Sequence, residues 1–507
     1  MSGYALVAVE GFEQSRVLFE QIVVGLAGVG PGEQSHAQLE EGLAGSGREL
    51  MRQLHQDHLD LLAVREQRRQ QVADAEQVAR TRVERDHRRG LATVFGQVTV
   101  SRMAYRALGA RNLYPADAAL NLPVGLHSHG LHRLVALESV RGSFETAAEA
   151  IWRNTGVRIG KRQVEELAQG AAVDIEAFYT ARRLDAADAG QLLVMQFDGK
   201  GIVMIPAALR EATAKAAAQA RRKLATRLSP GEKHGRKRMA ELAAVYDATP
   251  QVRTPADVIG RPGAAGQNTP THRRRPKATG KWLTGSVVDD IGQVIAAGFD
   301  EATRRDPDHE RTWVVLVDGN RTQIDAITTE AKRRGVTVHI LLDFIHVLEY
   351  LWKAAWSLFY TGDTAAETWV AEQAIKILEG KAGQVAAGIR RRATRFGYKP
   401  GERAAADTCA DYLSRHKPYL GYDTALTAGW PIATGVIEGA ARHLVKDRMD
   451  ITGARWSLAG AEAILQLRAL VTNRDFDAYW AFHQQQEHHR VHWRRYQHHR
   501  DEFALAA

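Results

Sequence analysis

The sequence predicts a mixed α/β fold that follows a mainly helical N-terminal region. From about residue 190 onward, short apolar segments alternate with helical segments, as in a sheet covered on both faces. Residues 12–92 and 131–170 instead show the composition and apolar spacing of helices. The 507 residues suggest about three domains of ~150 residues each. Apolar residues make up 45% of the chain and charged residues 25%, which excludes a mostly disordered protein.

The charge balance and the cysteine content narrow the function classes. There are 68 Lys and Arg against 59 Asp and Glu, a net charge of +9. This surplus favours an anionic partner, and nucleic acid is the commonest one. The single cysteine, Cys409, excludes internal disulfides and a multi-cysteine zinc site. We find no secretory leader and no run of ~18 apolar residues, so we expect a cytoplasmic protein without a membrane partner.

Residues 1–92 are predicted to form a helical arm. The segment 48–89 is polar on most faces, which is typical of a solvated helix or of a dimerisation element, and both remain open. Its narrow apolar stripe consists of Leu50, Leu54, Leu61 and Val64. Residues 93–106 alternate with period two around Gly96 and predict a short hairpin.

The rest of the region 93–180 contains a pattern that is typical of a helix-turn-helix. One predicted helix begins at Ser143 and ends near Gly156, and a second begins at Gly160. The first turn of the second helix carries Lys161, Arg162 and Gln163. Cations suit DNA phosphates and a glutamine can address a base edge, so this helix is a candidate DNA reader. A plain helix pair without DNA contact is the alternative.

Five apolar segments predict the strands of the sheet: 192–195 with 197, 240–246, 282–288, 313–317 and 336–342. Asp198 follows the first segment and Asp318 follows the fourth. Three strands in hairpin-like succession, followed by two αβ units, place the first and fourth strands side by side. Two carboxylates that meet there need a cation or a shared proton between them, and oxygen ligands suit Mg²⁺ or Mn²⁺. Ordinary Asp-Gly turns that end the strands are the alternative for each residue taken alone.

A third carboxylate, Glu438, precedes a helix that carries Arg442 and Lys446. At 100° per residue both cations lie within about 80° of Glu438, so one helix face would offer a metal ligand and phosphate-binding cations. A surface ion pair between Glu438 and Arg442 is the alternative. Two metal ions about 3.5–4 Å apart could hold both the attacking and the leaving oxygen of a phosphodiester.

Two basic stretches interrupt the predicted sheet. Residues 207–238 contain ten Lys or Arg and two Glu, and residues 251–281 contain seven Lys or Arg and one Asp. The second stretch includes Arg273, Arg274 and Arg275. Each stretch alone is typical of a solvated surface, but together they favour a groove for a polyanion beside Asp198 and Lys200.

Four segments carry a resemblance to a known family: QFDGKGIVM, LVDGN, LLDFIHVLEYLWKAAW and GWPIATGVIEGAARHLVKDRMDITGARW. The sequence resembles bacterial insertion-sequence transposases of the DDE type, in the ISKra group, from about residue 93 to the C-terminal region. The resemblance implies an α/β ribonuclease H-like catalytic core with a helical insertion, preceded by a mainly α N-terminal DNA-binding region. The core would span 190–344 and 426–475, the insertion 345–425, and a basic His-rich tail 476–507.

The resemblance also implies the catalytic residues. Asp198, Asp318 and Glu438 match the acidic residues of the family and would hold two Mg²⁺ ions, with Mn²⁺ as the alternative. Asp343 and His346 resemble an Asp-x-x-His element, to which we assign a supporting or substrate-positioning role. Asp343 is the main rival of Asp318 as metal ligand, but the fifth strand lies farther from the first.

Further candidate residues have roles outside the set of metal ligands. His346 is equally typical of a core histidine, and Trp430 either stacks on a flipped or unpaired base or packs in the core. Lys200, Arg442 and Lys446 are candidates for phosphate contacts. No cysteine lies between residues 105 and 115, where some similar transposases carry a zinc ribbon.

The expected activity is two-metal hydrolysis at the ends of a mobile element, followed by strand transfer. The expected partner is double-stranded DNA, both as the terminal inverted repeats and as target DNA, bound by a homodimer or higher oligomer in the nucleoid. Two alternatives remain open: a catalytically inactive DNA-binding regulator, and a structure-specific nuclease.

Overall fold

The computed structural model describes residues 10–183, 190–219, 236–259, 276–451 and 453–496, with the single residues 188, 224, 226, 227 and 229. Arg273, Arg274 and Arg275 lie outside the described residues, as do parts of both basic stretches. The chain divides into two compact units. The first unit comprises Met1–Thr180 with Asp475–Ala507, and the second comprises Ala181–Arg474.

The strands of the described residues form one large sheet and two small ones. They are β1 (Val72–Ala73), β2 (Ala79–Arg80), β3 (Arg82–Thr93), β4 (Gly96–Arg106), β5 (Leu192–Met204), β6 (Arg236–Ala248), β7 (Ala278–Ser286), β8 (Trp313–Val317) and β9 (Val338–Leu342).

Helices make up most of the remaining described chain. They are α1 (Glu13–Ala27), α2 (His36–Arg65), α3 (Pro115–Ala119), α4 (His129–Arg141), α5 (Phe144–Thr155), α6 (Lys161–Gly170), α7 (Ile175–Ala181), α8 (Glu211–Gln219), α9 (Pro255–Val258), α10 (Ile291–Arg305), α11 (Arg321–Arg334), α12 (Phe344–Leu358), α13 (Thr364–Leu378), α14 (Ala382–Arg395), α15 (Pro400–Arg415), α16 (Tyr422–Thr427), α17 (Gly435–Ala440), α18 (Leu458–Thr472) and α19 (Phe476–Val491). A π-helical segment, Ala441–Lys446, continues α17.

The five-stranded sheet of the second unit has the order β7-β6-β5-β8-β9. Strands β5, β6 and β7 pair antiparallel, whereas β8 pairs parallel with both β5 and β9. The predicted succession of three antiparallel strands and two parallel units is therefore confirmed, as is the pairing of the first strand with the fourth. All five residues of β8 are buried, which is typical of a strand covered on both faces.

The predicted end of the first strand at Asp198 is wrong. β5 continues through Asp198 to Met204, because β6 pairs with it along its whole length. β8, in contrast, pairs only as far as Gln196. Asp198 therefore lies within a strand, just beyond the point where the parallel neighbour ends.

Residues 345–425, the predicted insertion, are mainly helical as expected. Between β9 and α17 the chain forms α12, α13, α14, α15 and α16. Most of their buried side chains are small or aliphatic, which allows close packing between the helices. The insertion thus separates Asp343 from Glu438 along the sequence.

In the first unit the predicted helical arm is wrong beyond residue 65. Residues 82–93 form β3, which pairs with β4, so the hairpin begins at Arg82 and not at residue 93. The charged composition of 82–89 favoured a helix, but pairing with the apolar strand β4 fixes these residues as a strand. Leu59 of α2 packs in the same buried cluster as Val98 and Val100 of β4, so this part of the arm faces the hairpin.

The predicted helix pair of residues 143–170 is confirmed as α5 and α6. The Ser143 hydroxyl accepts a hydrogen bond from the Thr146 N–H at 3.0 Å and so caps α5. Gly156 ends α5 in the left-handed conformation. Two helices joined by a short turn are thus present, while a DNA-binding helix-turn-helix and DNA contact by α6 stay predictions.

The predicted basic tail is wrong for residues 476–491. These residues form α19, which belongs to the first unit. His483 of α19 and His492, which follows it, are buried and form polar contacts. His483 Nδ1 lies 2.7 Å from an oxygen of Asp174, and His492 Nε2 lies 2.8 Å from the backbone oxygen of Leu122. No helix in the described part of the chain is long and apolar enough to cross a membrane.

Candidate metal centre

Three aspartates stand in one row across the second unit's sheet. In β5, β8 and β9 the residues Gln196, Leu316 and Leu341 are partners in register. Two residues farther along each strand direction come Asp198, Asp318 and Asp343. Since adjacent strands lie about 4.8 Å apart, the register brings the backbones of these aspartates to the same edge of the sheet.

Asp343 forms a closer cluster with two residues from helices. Potential ligand atoms of Asp343, His346 and Glu438 all lie within 4.8 Å of one another. Among the residues that the structure describes, this is the one group of three or more such side chains that meets so closely. Two carboxylates and an imidazole form a donor set that can hold a divalent cation.

The segment before α17 brings Glu438 to Asp343. The backbone N–H of Phe344 donates to the Ile432 oxygen at 2.9 Å, which ties this segment to the start of α12. The Thr434 hydroxyl then lies 2.5 Å from Asp343 Oδ2 and 3.3 Å from Glu438 Oε1. Thr434 therefore positions both carboxylates.

The three predicted metal ligands do not meet as a set. Glu438 belongs to the cluster within 4.8 Å, together with Asp343 and His346, but Asp198 and Asp318 do not. The sequence argument disfavoured Asp343 because β9 is the outer strand. Strand order alone does not show that the hydrogen bond between Phe344 and Ile432 ties the segment before α17 to the start of α12. That link brings Glu438 to Asp343, although α17 itself packs on β5 and β6.

Asp198 nevertheless shares the electrostatic environment of the cluster. Burial raises the pKa of its carboxyl group, and the negative charge of Asp318 raises it further. The hydrogen bond from the Gly199 N–H, at 2.7 Å, and the charges of Lys200 and His346 act in the opposite direction. The net pKa is above its ordinary value, so the site favours either a proton or another cation near Asp198.

The turn that carries Asp318 is held by the helical insertion. The Tyr412 hydroxyl donates to the Asp318 backbone oxygen at 3.2 Å, and His416 Nε2 lies 3.1 Å from the Gly319 oxygen. Gly319 adopts φ = +98°, which favours glycine, and an added Cβ would lie 3.1 Å from the Tyr412 hydroxyl. Tyr412 also stacks on Tyr350 of α12 at 3.9 Å. α12 and α15 thus position the Asp318 turn.

Gln196 is a functional residue that the sequence analysis missed. Its side chain is fully buried, and its Oε1 accepts a hydrogen bond from the Ile437 N–H in the first turn of α17, at 2.9 Å. Its Nε2 donates to the Tyr246 hydroxyl at 2.7 Å. Gln196 thereby satisfies a backbone donor at the start of the helix that carries Glu438. A polar residue within the apolar run LLVMQF, two positions before Asp198, was the signal in the sequence.

The predicted DNA-binding residues of α6 differ in their ion pairs and hydrogen bonds. Lys161 and Arg162 are exposed, although Arg162 pairs with Glu166 at 3.0 Å. The Gln163 side chain accepts a hydrogen bond from the Gly160 N–H at 3.1 Å, so it caps its own helix. That bond competes with the predicted contact between Gln163 and a base edge.

The helix that carries the predicted cationic face beside Glu438 becomes π-helical at Ala441. The spacing assumed a regular helix at 100° per residue, but residues 441–446 are π-helical and turn less per residue. Arg442 and Lys446 are both exposed, and the Arg442 guanidinium lies 3.8 Å from Asp447. Both cations face solvent, and their placement on one face with Glu438 stays a prediction.

Trp430 packs within the unit. It is 9% exposed, and its ring lies 4.4 Å from that of His339, centroid to centroid. The Arg253 guanidinium donates to the Trp430 backbone oxygen. Of its two predicted roles, packing is the one that this environment favours.

Comparison with known proteins adds no family assignment. No family model matches the chain. No curated protein matches it either.

Proposed function

We propose that the chain is a DDE-type transposase of an insertion sequence, in the ISKra group, with a ribonuclease H-like catalytic core. The order of the five strands and the helical insertion before Glu438 agree with this proposal. The observation that carries it is the position of Asp198, Asp318 and Asp343, each two residues beyond strand residues that are partners in register, with Glu438 within 4.8 Å of the last of them. A chain that needed only folded stability would gain little from gathering four acidic groups at one edge.

The proposal assigns a role to each group of residues. Asp198, Asp318 and Glu438, supported by Asp343 and His346, would hold two Mg²⁺ or Mn²⁺ ions. Such ions supply the activation of water and the stabilisation of the displaced oxygen in phosphodiester hydrolysis. Thr434 and Gln196 hold the carboxylates in place.

The DNA partner would be bound outside the metal centre. Lys200 and the exposed cations Arg442 and Lys446 suit the phosphates of an element end, and α5 with α6 would contact the terminal inverted repeats. Hydrolysis would leave a 3′-hydroxyl, which would then attack target DNA. A homodimer or higher oligomer would hold two element ends together.

The test is a cleavage and joining assay with the full chain, Mg²⁺ or Mn²⁺, a target plasmid and duplexes from the DNA that flanks the coding region. We expect 3′-hydroxyl ends and joined products. Asp198→Asn and Glu438→Gln should each lower the cleavage rate about a thousandfold or more, because each removes a carboxylate that would hold an ion. Asp325→Asn is the matched control, since Asp325 is an exposed carboxylate of α11.

The other outcomes separate the alternatives. Cleavage without joining would indicate a structure-specific nuclease. Specific binding of the flanking duplex without cleavage would indicate an inactive regulator. Full activity in both Asp198→Asn and Glu438→Gln would refute the metal-centre assignment.

A further inference from the structure

The far end of the helical insertion combines basic and aromatic residues. Between Arg390 and Arg403 the chain has six Lys or Arg and one Glu, interleaved with Phe396 and Tyr398. The segment comprises the end of α14 and the start of α15. Helix α12, which begins at the candidate metal centre, ends against it: the Tyr398 hydroxyl lies 3.5 Å from the Leu358 backbone oxygen.

A glycine turn fixes the two aromatic rings. Gly397 follows α14 with φ = +69°, a conformation that favours glycine. The Gly397 N–H donates to the Thr394 oxygen at 3.1 Å, and the Tyr398 N–H donates to the Ala393 oxygen at 3.2 Å. The turn therefore holds Phe396 and Tyr398 side by side, with their ring centroids 6.1 Å apart and an interplanar angle of 23°.

Phe396 contacts Arg392 within the protein but is largely exposed to solvent. The Arg392 guanidinium lies 4.4 Å from the Phe359 ring centroid and 5.7 Å from that of Phe396, so it bridges the two rings. Phe396 is nevertheless 61% exposed, and Tyr360, next to Phe359, is 89% exposed. Leaving these rings in water forgoes the free energy of burial, which favours a binding role.

Three exposed cations lie within a few residues of the two rings in the sequence, and the described residues supply no carboxylate partner for them. Arg390 pairs with Asp411, and Arg403 pairs with Asp407. Arg391, Arg395 and Lys399 are exposed, and none of them forms an ion pair with a carboxylate in the part of the chain that the structure describes. The exposed charge beside the rings is thus positive.

We propose that this insertion-tip surface binds unpaired, single-stranded DNA, with bases stacked on the rings and phosphates held by the cations. It consists of Tyr360, Arg391, Arg395, Phe396, Tyr398 and Lys399. Exposed aromatic faces next to cations suit nucleic acid whose bases are free to stack, because every base has a π-face. Double-stranded DNA offers its phosphates but buries its base faces.

The surface lies within reach of the candidate metal centre along one helix. Leu358, the last residue of α12 and two positions before Tyr360, comes 12 residues after His346, and at about 1.5 Å of rise per helical residue the separation is about 18 Å. A strand opened near the metal centre could therefore extend to the insertion tip. The inference rests on the proposed function in taking DNA as the partner.

Binding is tested with the full chain and a 20-nucleotide oligothymidylate that contains one 2-aminopurine, in the presence of excess unlabelled duplex. We expect Phe396→Ala to weaken binding about tenfold, the effect of losing one base–aromatic stack, and to reduce the quenching of 2-aminopurine. Phe396→Tyr should retain both signals, because it keeps a stacking face. Phe19→Ala is the matched control, since Phe19 of α1 is 52% exposed in the first unit.

The role of the cations is tested by salt dependence. Replacing Arg391 and Arg395 by alanine should lower the slope of log affinity against log salt by about 0.7 for each lost phosphate contact. Lys332→Ala, an exposed cation at the end of α11, should leave the slope unchanged. Circular dichroism and thermal melting verify that every variant folds.

Two results would overturn the inference. One is unchanged oligonucleotide affinity in Phe396→Ala. The other is an affinity for a polyglutamate peptide that equals the affinity for the oligonucleotide, which would indicate an acidic protein partner. Loss of single-strand binding in Phe396→Ala, together with a wild-type chain that cleaves no DNA, would refute the proposed function and leave this inference standing.

Discussion

The two ends of the five-stranded sheet differ in the ion-pair partners of their acidic side chains. At the end where β5 begins, Asp247 pairs with Arg311 at 2.6 Å and with Arg305 at 2.9 Å. The fully buried Glu301 likewise pairs with Arg304 and Arg305. At the other end, no Lys or Arg forms an ion pair with Asp198, Asp318, Asp343 or Glu438 within the described residues.

The difference shows which end serves stability. Charges that are removed from water need a partner, and at the Asp247 end the chain supplies arginines. At the candidate metal centre the chain supplies hydrogen bonds from Thr434 and from backbone N–H groups, and the described residues include no Lys or Arg that pairs with these carboxylates. The His346 imidazole lies 3.6 Å from the Glu349 carboxylate. Asp318 and Glu438 are exposed to water, whereas Asp343 is buried and Asp198 is half-buried. The unmatched charge of the two less exposed carboxylates is therefore the part that a cation or a proton would offset, and this favours a binding function.

The largest expected effect is at the paired end. Asp247→Asn should lower the free energy of unfolding by about 3 kcal/mol, because Arg311 would remain buried without its carboxylate. Urea denaturation of the full chain measures this. Asp325→Asn, which removes an exposed pair at 3.6 Å, should change the free energy by about 0.5 kcal/mol or less. Similar values for the two variants would refute the contrast between the two ends.

A divalent cation should produce the next largest effect, at the other end. With Mn²⁺ at 100 times its dissociation constant, the wild-type free energy of unfolding should rise by about 2.7 kcal/mol. Glu438→Gln should lose most of this gain, because it removes a ligand of the cluster, whereas Asp325→Asn should keep it. Thermal melting with and without Mn²⁺ measures the gain. A wild-type chain that Mn²⁺ does not stabilise would show that the cluster binds no metal.

Gln196→Met should weaken Mn²⁺ binding about tenfold, or about 1.4 kcal/mol, because Ile437 would lose the acceptor that holds the start of α17. Electron paramagnetic resonance of free Mn²⁺ reports the affinity without DNA. Tyr246→Phe is the control, since it leaves the bond between Gln196 and Ile437 in place. Equal affinities for wild type and Gln196→Met would remove the positioning role.

The smallest effect has the opposite sign to that of Asp247→Asn. Without divalent cations, Asp198→Asn should stabilise the chain at pH 7 by about 1 kcal/mol or less, since burial and the charge of Asp318 raise the pKa of Asp198. A raised folded-state pKa means that the wild-type penalty is relieved as the pH falls and the carboxylate takes up a proton. The difference between variant and wild type should therefore shrink between pH 7 and pH 4. A destabilised Asp198→Asn would contradict the unmatched-charge interpretation.

Local patterns predicted most of the second unit. Continuous apolar runs located the five strands, and their order gave the pairing of β5 with β8. The helical insertion was implied by the family resemblance. Composition was misleading where pairing partners decide the structure. Residues 82–93 are charged enough to resemble a helix, yet they form β3 against β4. The histidines of residues 476–491 suggested a solvated tail, yet they pack in α19.

In the candidate site, too, local patterns located residues but long-range contacts decided which of them meet. The sequence located Asp198, Asp318, Asp343, His346 and Glu438, but not the set that meets. That set depends on long-range contacts, such as Thr434 with Asp343 and Gln196 with Ile437, which join residues 91 and 241 positions apart. Capping of α6 by Gln163 and the π-helical segment after α17 are equally invisible to helical spacing.

The sequence by itself determined which residues can bind a metal and which strands would carry the aspartates, because burial and strand order follow from local apolar periodicity. Only the tertiary structure decided that Glu438 meets Asp343 and His346. The approach of one helix to one edge of a sheet is fixed by packing and by a few distant hydrogen bonds, and neither leaves a periodic trace in the chain.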